Sequence, residues 1–247
     1  MARTDFTTPR LCLERDLRAG DNAELSPEEA NYLVNVLRSR VGARVLVFNG
    51  RDGEFAATVG AIARRKVSLE IGERLRAQEF PPDIDYLFAP LKHARLDYVA
   101  QKAVEMGARR LQPVVTRRTQ TSRVNLVRLA ANAREAAEQC GVIWLPEIAP
   151  ERKLDELLAD WPAGRLLAFC DEDAPLANPI AAMAGVEAKA GVSLMVGPEG
   201  GFEESERRAI LALPLVLRVS LGPRVLRADT AAVAALALLQ SRYGDWH

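Results

Sequence analysis

The chain has 247 residues, of which 49% are hydrophobic and 27% charged, a composition typical of a globular protein with a substantial core. It contains no apolar run of the roughly 20 residues that cross a bilayer, and its first residues lack a secretory signal. We therefore expect a cytoplasmic protein without a membrane partner. Three cysteines without metal-ligand spacing and only two histidines argue against a disulfide framework and a metal site.

The formal net charge is zero, but the charges are unevenly distributed along the chain. Seven arginines and no acidic residue lie between Met106 and Arg134. A guanidinium contacts a phosphate through two hydrogen bonds, so arginines without lysines favour a nucleic-acid partner. A solvated helix face would have the same composition, and both interpretations are open at this point.

The first 76 residues predict a small β-rich domain. SPEEANYLVNVLRS has a Ser-Pro helix start and acids in its first turn, and Val34, Leu37 and Val41 follow at helical spacing. ARVLVFNG and GEFAATVG flank an NGRDG turn and predict a hairpin, and KVSLEIGE alternates like a half-buried strand. The proline-containing stretch RLRAQEFPPD is the predicted linker.

From Asp83 onward, strand-like and helix-like segments alternate, which predicts an α/β domain with a mainly parallel sheet covered on both faces. The predicted strands are DYLFAP, LQPVV, RLLAFC, VSLMVG and LVLRVSLG. The predicted helices are LDYVAQKAVEMGA, NLVRLAANAREAAEQCG, KLDELLAD, ESERRAILA and the alanine-rich segment 228–240. That last segment is apolar nearly all round, so we expect it to be buried within the domain or against a partner.

Ligands of open α/β sheets bind beyond the carboxyl ends of the strands, which draws attention to the loops CDEDAP, GPEGGF and GPRVLRADT. In the second loop, Gly197, Gly200 and Gly201 allow close backbone approach and positive φ, and Pro198 stiffens the turn. The acids that follow fit the first turn of a helix and would repel a phosphate. The loop matches neither a P-loop nor GxGxxG, and an ordinary strand-to-helix turn would also use such glycines.

The segments MVGPEGGFEESE and LGPRVLRADTA together resemble the bacterial 16S ribosomal RNA uridine N3-methyltransferases, a branch of the SPOUT superfamily. QKAVEMG, EQCG and VLRSRVG extend the resemblance over nearly the whole chain in the expected order. The resemblance implies a PUA-like, RNA-binding β-barrel in residues 1–76 and a trefoil-knotted SPOUT methyltransferase domain in residues 77–247. It further implies S-adenosylmethionine as methyl donor, no metal, a homodimer, and a uridine in the decoding region of the assembled small ribosomal subunit as target.

The resemblance also implies roles for individual residues. Loss of the N3 proton spreads negative charge over the uracil oxygens, and Arg227, assisted by Arg224, would stabilise that charge. Asp229 would orient an arginine or accept the proton, although ADT is also a helix N-cap sequence and we favour capping. The residues expected to bind S-adenosylmethionine are Cys170, Gly197, Pro198, Glu199, Gly200, Gly201, Leu221, Gly222, Val225 and Leu226. The residues expected to bind RNA are Arg38, Arg40, Lys92, Lys102, Arg117, Arg118 and Arg123.

The chain departs from the family pattern at several positions. Asp229 stands where members commonly have Glu, Val142 where they have Arg, and Tyr32 where they have His. Arg117-Arg118-Thr119 replaces an acid-arginine-small triplet. These departures bear on RNA contacts and on residue 229 as a base more than on cofactor binding.

Two other functions are compatible with parts of the sequence. A non-catalytic RNA-binding assembly factor of the same fold would have no need of GPEGG and LGPRVLR, which are intact here. A nucleotide-dependent enzyme would use Asp171 or Glu172 to hold a ribose hydroxyl, but the chain has no GxGxxG.

Overall fold

The structure is a computed structural model that describes residues 5, 7–63, 66–120, 123–176 and 178–246. It divides into two compact units. The first unit is the chain up to Phe80 together with Arg134–Leu145, and the second is Pro81–Ala133 together with the chain from Pro146 onward.

The first unit is built on a five-stranded sheet. Its elements are β1 (Arg10–Cys12), β2 (Asn22–Glu24), α1 (Pro27–Asn31), a π-helix (Tyr32–Val36), β3 (Arg44–Phe48), β4 (Glu54–Ala63) and β5 (Lys66–Arg76). The strand order is β1-β3-β4-β5-β2, with β1 parallel to β3 and the other pairs antiparallel. The predicted hairpin is confirmed as β3–β4. The predicted linker begins later than expected, because Arg76 still pairs with Glu54 and extends β5.

The predicted helix starts as expected at Ser26, whose hydroxyl accepts the Glu29 N–H in a capping box. It ends earlier than the sequence pattern suggested. After α1 the backbone widens into the π-helix, which buries Leu33, and Arg38 then turns the chain with a φ of 53°. Val41 is 62% exposed and lies beyond the helix, so its assignment to the helical face was wrong.

The remaining elements alternate between strands and helices, except for one pair of consecutive two-residue strands. They are β6 (Ile84–Phe88), α2 (His93–Glu105), β7 (Arg110–Val115), α3 (Leu126–Cys140), β8 (Glu147–Ile148), β9 (Arg152–Lys153), α4 (Leu154–Ala159), β10 (Leu166–Cys170), α5 (Pro179–Met183), β11 (Val192–Val196), α6 (Glu204–Leu211), β12 (Val216–Val219) and α7 (Ala228–Tyr243). Every segment predicted in this region is present. The short elements β1, β2, β8, β9 and α5 were not predicted, because two to five residues carry too little periodicity.

The second unit has a parallel sheet in the order β12-β10-β11-β6-β7-β8, with β9 paired to β7. This confirms the predicted α/β fold. Strands β6 and β11 are buried along their whole length, as expected of strands covered on both faces. Strand β10 lies between β11 and β12, and Cys170 pairs with Val219 at the end of β12. The loops that follow these three strands therefore leave the sheet side by side.

The opposite end of the sheet is held by a buried guanidinium. Arg165, just before β10, donates to the Ser193 hydroxyl at 2.7 Å and pairs with Asp85 of β6 at 2.9 Å and with Asp83 at 2.8 Å. These contacts satisfy the buried charge and join three neighbouring strands.

The first unit contains a half-buried acid, Glu138, on the C-terminal part of α3. One carboxylate oxygen of Glu138 accepts the Cys12 N–H of β1 at 2.9 Å. Burial raises the pKa of Glu138 to about 7, although this hydrogen bond and the charge of Arg134 act in the opposite direction. The carboxyl group therefore favours its neutral form in the folded state more than an ordinary glutamate does.

This raised pKa predicts that stability falls as the pH rises. Ionising Glu138 costs more in the folded than in the unfolded chain. The neutral carboxyl group therefore makes its full contribution to the free energy of unfolding below about pH 4.5, and this contribution is lost as the pH rises through about 7. Glu138→Gln keeps an oxygen acceptor for the Cys12 N–H but cannot ionise. We expect its urea midpoint to change less than that of the wild type between pH 5 and pH 8, which is roughly the span of the two pKa values.

The matched control is Glu73→Gln, which removes an exposed glutamate from β5 of the same unit. We expect this variant to keep the wild-type pH profile. Parallel profiles for Glu138→Gln and the wild type would show that burial of Glu138 does not set the pH dependence.

Candidate active site

A cavity lies where the three predicted loops meet beyond the carboxyl ends of β10, β11 and β12. Its volume is about 620 Å³. Its walls are residues 169–173, 196–199, 201–202 and 219–228, with Arg95, Arg207 and Ala231 completing the lining. The sheet order explains this convergence, because β10, β11 and β12 are neighbours and run in one direction.

The glycines of the second loop have different structural roles. Gly201 has a φ of 69°, which favours glycine, whereas Gly197 and Gly200 lack the positive φ predicted for them. Gly197 is needed for space, since a Cβ there would lie 2.5 Å from the ring of Phe202. That ring packs edge-on against Phe169 at 5.3 Å between centroids. The loop is therefore fixed by side-chain packing as well as by its backbone.

The acids after the loop begin α6, as predicted. Glu206 accepts the Glu203 N–H at 2.9 Å through one carboxylate oxygen and the Arg117 N–H at 2.8 Å through the other. Arg118 donates to the carbonyl of Gly200 at 2.7 Å. These contacts tie the segment after β7 to the glycine loop.

A buried carboxylate connects the three loops. Asp171, whose side chain is 3% exposed, receives hydrogen bonds from Arg207 of α6 at 3.1 Å and from Arg218 of β12 at 2.7 Å. Burial alone would raise the pKa of Asp171, but the two guanidinium groups and the Asp173 N–H lower it below its usual value. Its oxygens are engaged by protein groups, so Asp171 is not the ribose ligand considered from the sequence.

The third loop carries the predicted catalytic residues. Arg224 and Arg227 are exposed and line the cavity, and Gly222 has a φ of 94°. The predicted cap is wrong, because Arg227 occupies the N-cap position of α7 and Asp229 lies inside the first turn. The Asp229 carboxylate accepts the Thr230 N–H at 2.7 Å. It is not among the cavity-lining residues, which leaves its catalytic role a prediction.

The structure brings together nearly all of the residues predicted to bind a cofactor. The residues that line the cavity are Cys170, Gly197, Pro198, Glu199, Gly201, Leu221, Gly222, Val225 and Leu226. Gly200 does not line it. Val225 is 97% exposed and is therefore not an ordinary core residue. Burial, aided by the charge of Asp171, raises the pKa of Cys170 to about 12, so the cavity has a neutral thiol in its wall.

The residues predicted to bind RNA lie in both units. In the first unit Arg38 and Arg40 are exposed, and in the second Lys92, Arg117, Arg118 and Arg123 are exposed. Lys102 pairs with Glu105 at 2.7 Å. Much of the arginine-rich block is engaged in ion pairs: Arg109 with Asp85, Arg110 with Glu147, Arg128 with Asp97 and Arg134 with Glu14. The block as a whole is therefore not a free cationic face.

Arg95 is a site residue that the sequence interpretation missed. It lies on α2, lines the cavity and pairs with Glu199 of the glycine loop. Arg95 and Glu199 are more than 100 residues apart in the sequence, so no local pattern predicted that they form a pair.

Within the described ranges, no group of three or more metal-ligating side chains is present. His247 and the side chain of His93, the two histidines considered for a metal site, lie outside those ranges. No described helix combines the length and apolarity required to cross a membrane.

Comparisons with known proteins identify the family. Residues 78–240 match the RNA methyltransferase domain, and residues 25–72 match the RNA methyltransferase PUA domain. The chain belongs to this RNA methyltransferase family. The family predicted from the two C-terminal motifs, the SPOUT-type α/β fold and the PUA-like first domain are thereby confirmed.

Several relatives match over nearly their whole length. Ribosomal RNA small subunit methyltransferase E of Rickettsia conorii is 28% identical, with 92% of this chain and 93% of that protein covered. The crystal structure of the enzyme of that name from Neisseria gonorrhoeae, bound to S-adenosylmethionine, is 28% identical with a TM-score of 0.84 and covers 97% and 100% of the two chains. A Legionella pneumophila protein, also in complex with S-adenosylmethionine, is 30% identical with a TM-score of 0.81, covering 96% and 99%.

Removing the carboxylate that joins the loops is expected to destabilise the second unit. Asp171→Asn leaves Arg207 and Arg218 without their shared anion, and we expect a loss of about 3 kcal/mol in the free energy of unfolding. Equilibrium urea unfolding measures this loss. The control is Asp160→Asn, which breaks an ion pair with Arg152 whose acid is 71% exposed and costs less than about 1 kcal/mol. Equal effects of the two substitutions would contradict the proposed importance of Asp171.

Proposed function

We propose that this protein transfers a methyl group from S-adenosylmethionine to N3 of a uridine in small-subunit ribosomal RNA, in the decoding region of the assembled subunit. The observation that supports this most directly is the cavity enclosed by the three loops, with Arg224 and Arg227 in its wall. Relatives that align with nearly the whole chain carry the name ribosomal RNA small subunit methyltransferase E, and one was solved with S-adenosylmethionine bound.

The cavity lacks the surplus of positive charge that a phosphate site needs, because four acids in its lining balance four arginines. Glu172 and Asp173 lie beside the neutral Cys170 thiol and suit the sulfonium cation, and the glycine loop is followed by further acids. Backbone groups of residues 197–201 and 221–226 would hold the adenine edge, with Leu221, Val225 and Leu226 against its faces. When bound, S-adenosylmethionine supplies the methyl group that is transferred.

The arginines at the mouth of the cavity account for the choice of an acidic nitrogen as acceptor. Loss of the imide proton at uracil N3 leaves negative charge on O2 and O4, and a fixed guanidinium stabilises that charge. Arg227 is suited to this role because its exposed guanidinium lines the cavity. Arg224 assists it. A carboxylate or a water molecule accepts the proton, and Asp229 is the nearest acid in sequence.

RNA recognition involves both domains. We propose that residues 1–76 act as the PUA-like RNA-binding domain and that residues 77–247 form the SPOUT methyltransferase domain, threaded as a trefoil knot. Arg38, whose positive φ follows the π-helix, presents an exposed cation together with Arg40. With the exposed cations of the second unit, this set would give salt-dependent RNA binding in the cytoplasm.

We further propose a homodimer formed through α7. One side of this helix is buried by α2 and β11. The other side is apolar but only half-buried in the single chain, with Val233, Ala234, Ala237 and Leu238 along it. An apolar face of this kind on a 16-residue helix is typical of a contact with a partner subunit.

Sedimentation equilibrium tests the dimer. We expect the wild type to have twice the mass of the chain and Leu238→Glu to have the mass of one chain, because a buried unpaired carboxylate opposes association. Leu215→Glu, at an exposed leucine outside α7, is the control and should remain a dimer. A monomeric wild type, or a dimeric Leu238→Glu variant, would contradict the proposal.

Methyl transfer is tested with labelled S-adenosylmethionine and small ribosomal subunits that lack the modification, followed by nuclease digestion and mass spectrometry. We expect one N3-methyluridine in the decoding-region RNA. Arg227→Ala should lower kcat by about 100-fold or more while the cofactor affinity is retained. Arg208→Ala, at an exposed arginine of α6, should have wild-type activity.

Three outcomes would contradict parts of this function. A methyl group on another base or on a ribose would exclude N3 as the acceptor. Cofactor binding without any transfer to the subunit would exclude this substrate. An unchanged kcat in Arg227→Ala would exclude the role given to Arg227.

A further inference from the structure

A second cavity lies next to the first and shares part of its wall. Its volume is about 320 Å³. Arg95, Pro198 and Glu199 line both cavities, and Lys92, Arg118 and Gln120 line the second one alone. Pro198 and Glu199 belong to the glycine loop, so this loop separates the two spaces.

The second cavity differs from the first in its charge. Three cationic side chains, Lys92, Arg95 and Arg118, face a single carboxylate, that of Glu199. Glu199 is paired with Arg95, which leaves the other two cations uncompensated within this space. The surplus of positive charge indicates an anionic ligand.

The two uncompensated cations have hydrogen-bonding capacity left. Lys92 is exposed and has no acidic partner among the ion pairs of the described residues. Arg118 uses one guanidinium nitrogen to hold the Gly200 carbonyl and retains its other N–H groups. The side-chain amide of Gln120 adds a neutral donor at the same wall.

The backbone at this wall also carries partial positive charge. Lys92 is the N-cap residue of the 13-residue helix α2, which has no side-chain cap and no acid in its first turn. The N-terminal N–H groups of α2 thus add partial positive charge beside the cationic side chains.

We propose that this second cavity binds a backbone phosphodiester of the RNA strand, adjacent to the nucleoside that is methylated. The inference rests on the proposed function, because it requires that the first cavity hold the methyl donor. The shared wall then places the phosphate within a short distance of the acceptor base. Contacts to phosphates fix the register of a strand without reading its sequence, which suits a site beside the reacting group.

The carboxylate of the methyl donor is the other anion that this chemistry would accept. The residues that line only the second cavity distinguish an RNA phosphate from this carboxylate. Lys92 and Gln120 line the second cavity alone, so a ligand confined to the first cavity does not contact them. A substitution of Lys92 is therefore expected to change the binding of RNA and not that of the methyl donor.

The experiment measures two equilibria with Lys92→Gln. One is the binding of unmodified small ribosomal subunits over a series of KCl concentrations, and the other is the Kd for S-adenosylmethionine by calorimetry. We expect weaker subunit binding and a slope of log K against log salt that is smaller by about 0.7, the value for one lost phosphate contact on a single strand. The Kd for S-adenosylmethionine should not change. Lys92→Arg, which keeps the charge, should restore the slope.

The matched control is Lys189→Gln. Lys189 is an exposed lysine of the second unit that pairs with Glu187 and lines neither cavity. We expect it to keep the wild-type slope and the wild-type Kd. It corrects for the loss of one positive charge from the surface as a whole.

Two results would overturn the proposal. A weaker Kd for S-adenosylmethionine with an unchanged salt slope would assign the anion to the methyl donor. A slope equal to that of Lys189→Gln would show that the cavity binds no phosphate. Both equilibria are measured without turnover. A wild-type protein that binds subunits but does not methylate them would therefore contradict the proposed function, while the salt slope of Lys92→Gln would still decide whether the second cavity binds a phosphate.

Discussion

The carboxylate of Asp171 is the contact on which the geometry of the site depends. It is buried just after β10 and receives hydrogen bonds from Arg207 and Arg218, which belong to the elements next to the other two loops. A buried carboxylate is tolerated because the two guanidinium groups compensate its charge. Loops on a protein surface are mobile unless they are held, and here one charge holds three of them together. The volume and shape of the first cavity follow from this arrangement.

The parallel sheet determines where such a contact can form. Neighbouring parallel strands end at the same edge, so the loops after β10, β11 and β12 share one face of the domain. At the other end of the sheet, Arg165 joins the starts of three strands through Asp83, Asp85 and Ser193. The strands between these two sets of contacts are apolar and buried. Their packing gives stability, and the polar clusters at the two ends position the loops.

The glycine loop lies between two spaces of different charge balance. The first cavity has as many acids as arginines in its lining, together with the neutral Cys170 thiol, whereas the second has three cations and one carboxylate. The loop is also tied to its surroundings on both sides, through Phe202 to Phe169 and through the Gly200 carbonyl to Arg118. A ligand in either space therefore contacts the same short segment. Under the proposed function, this difference in charge would allow the methyl donor and an RNA phosphate to bind on the two sides of one loop without competing.

The sequence by itself determined the elements and the family. Alternation in KVSLEIGE, the NGRDG turn and the apolar runs from Asp83 onward predicted the hairpin, strand β5 and the parallel sheet, because these signals depend on neighbouring residues only. The two glycine-containing motifs predicted the family and most of the cavity wall. Short strands were missed, and the helix that continues as a π-helix was predicted too long, because hydrophobic spacing does not distinguish the two kinds of turn.

The tertiary structure alone decided which polar residues act together. Asp171 with Arg218 and Arg95 with Glu199 are far apart in sequence, and no local pattern predicts that folding brings them into contact. The same is true of the arginine-rich block: folding pairs Arg109, Arg110, Arg117 and Arg128 with acids from other parts of the chain, while Arg118 and Arg123 form no ion pair within the described residues. Local propensity depends on a few neighbouring residues, whereas the environment of a charge depends on every element packed around it. For this reason the sequence predicted the fold and the loops, and the structure was needed to assign a role to each charge.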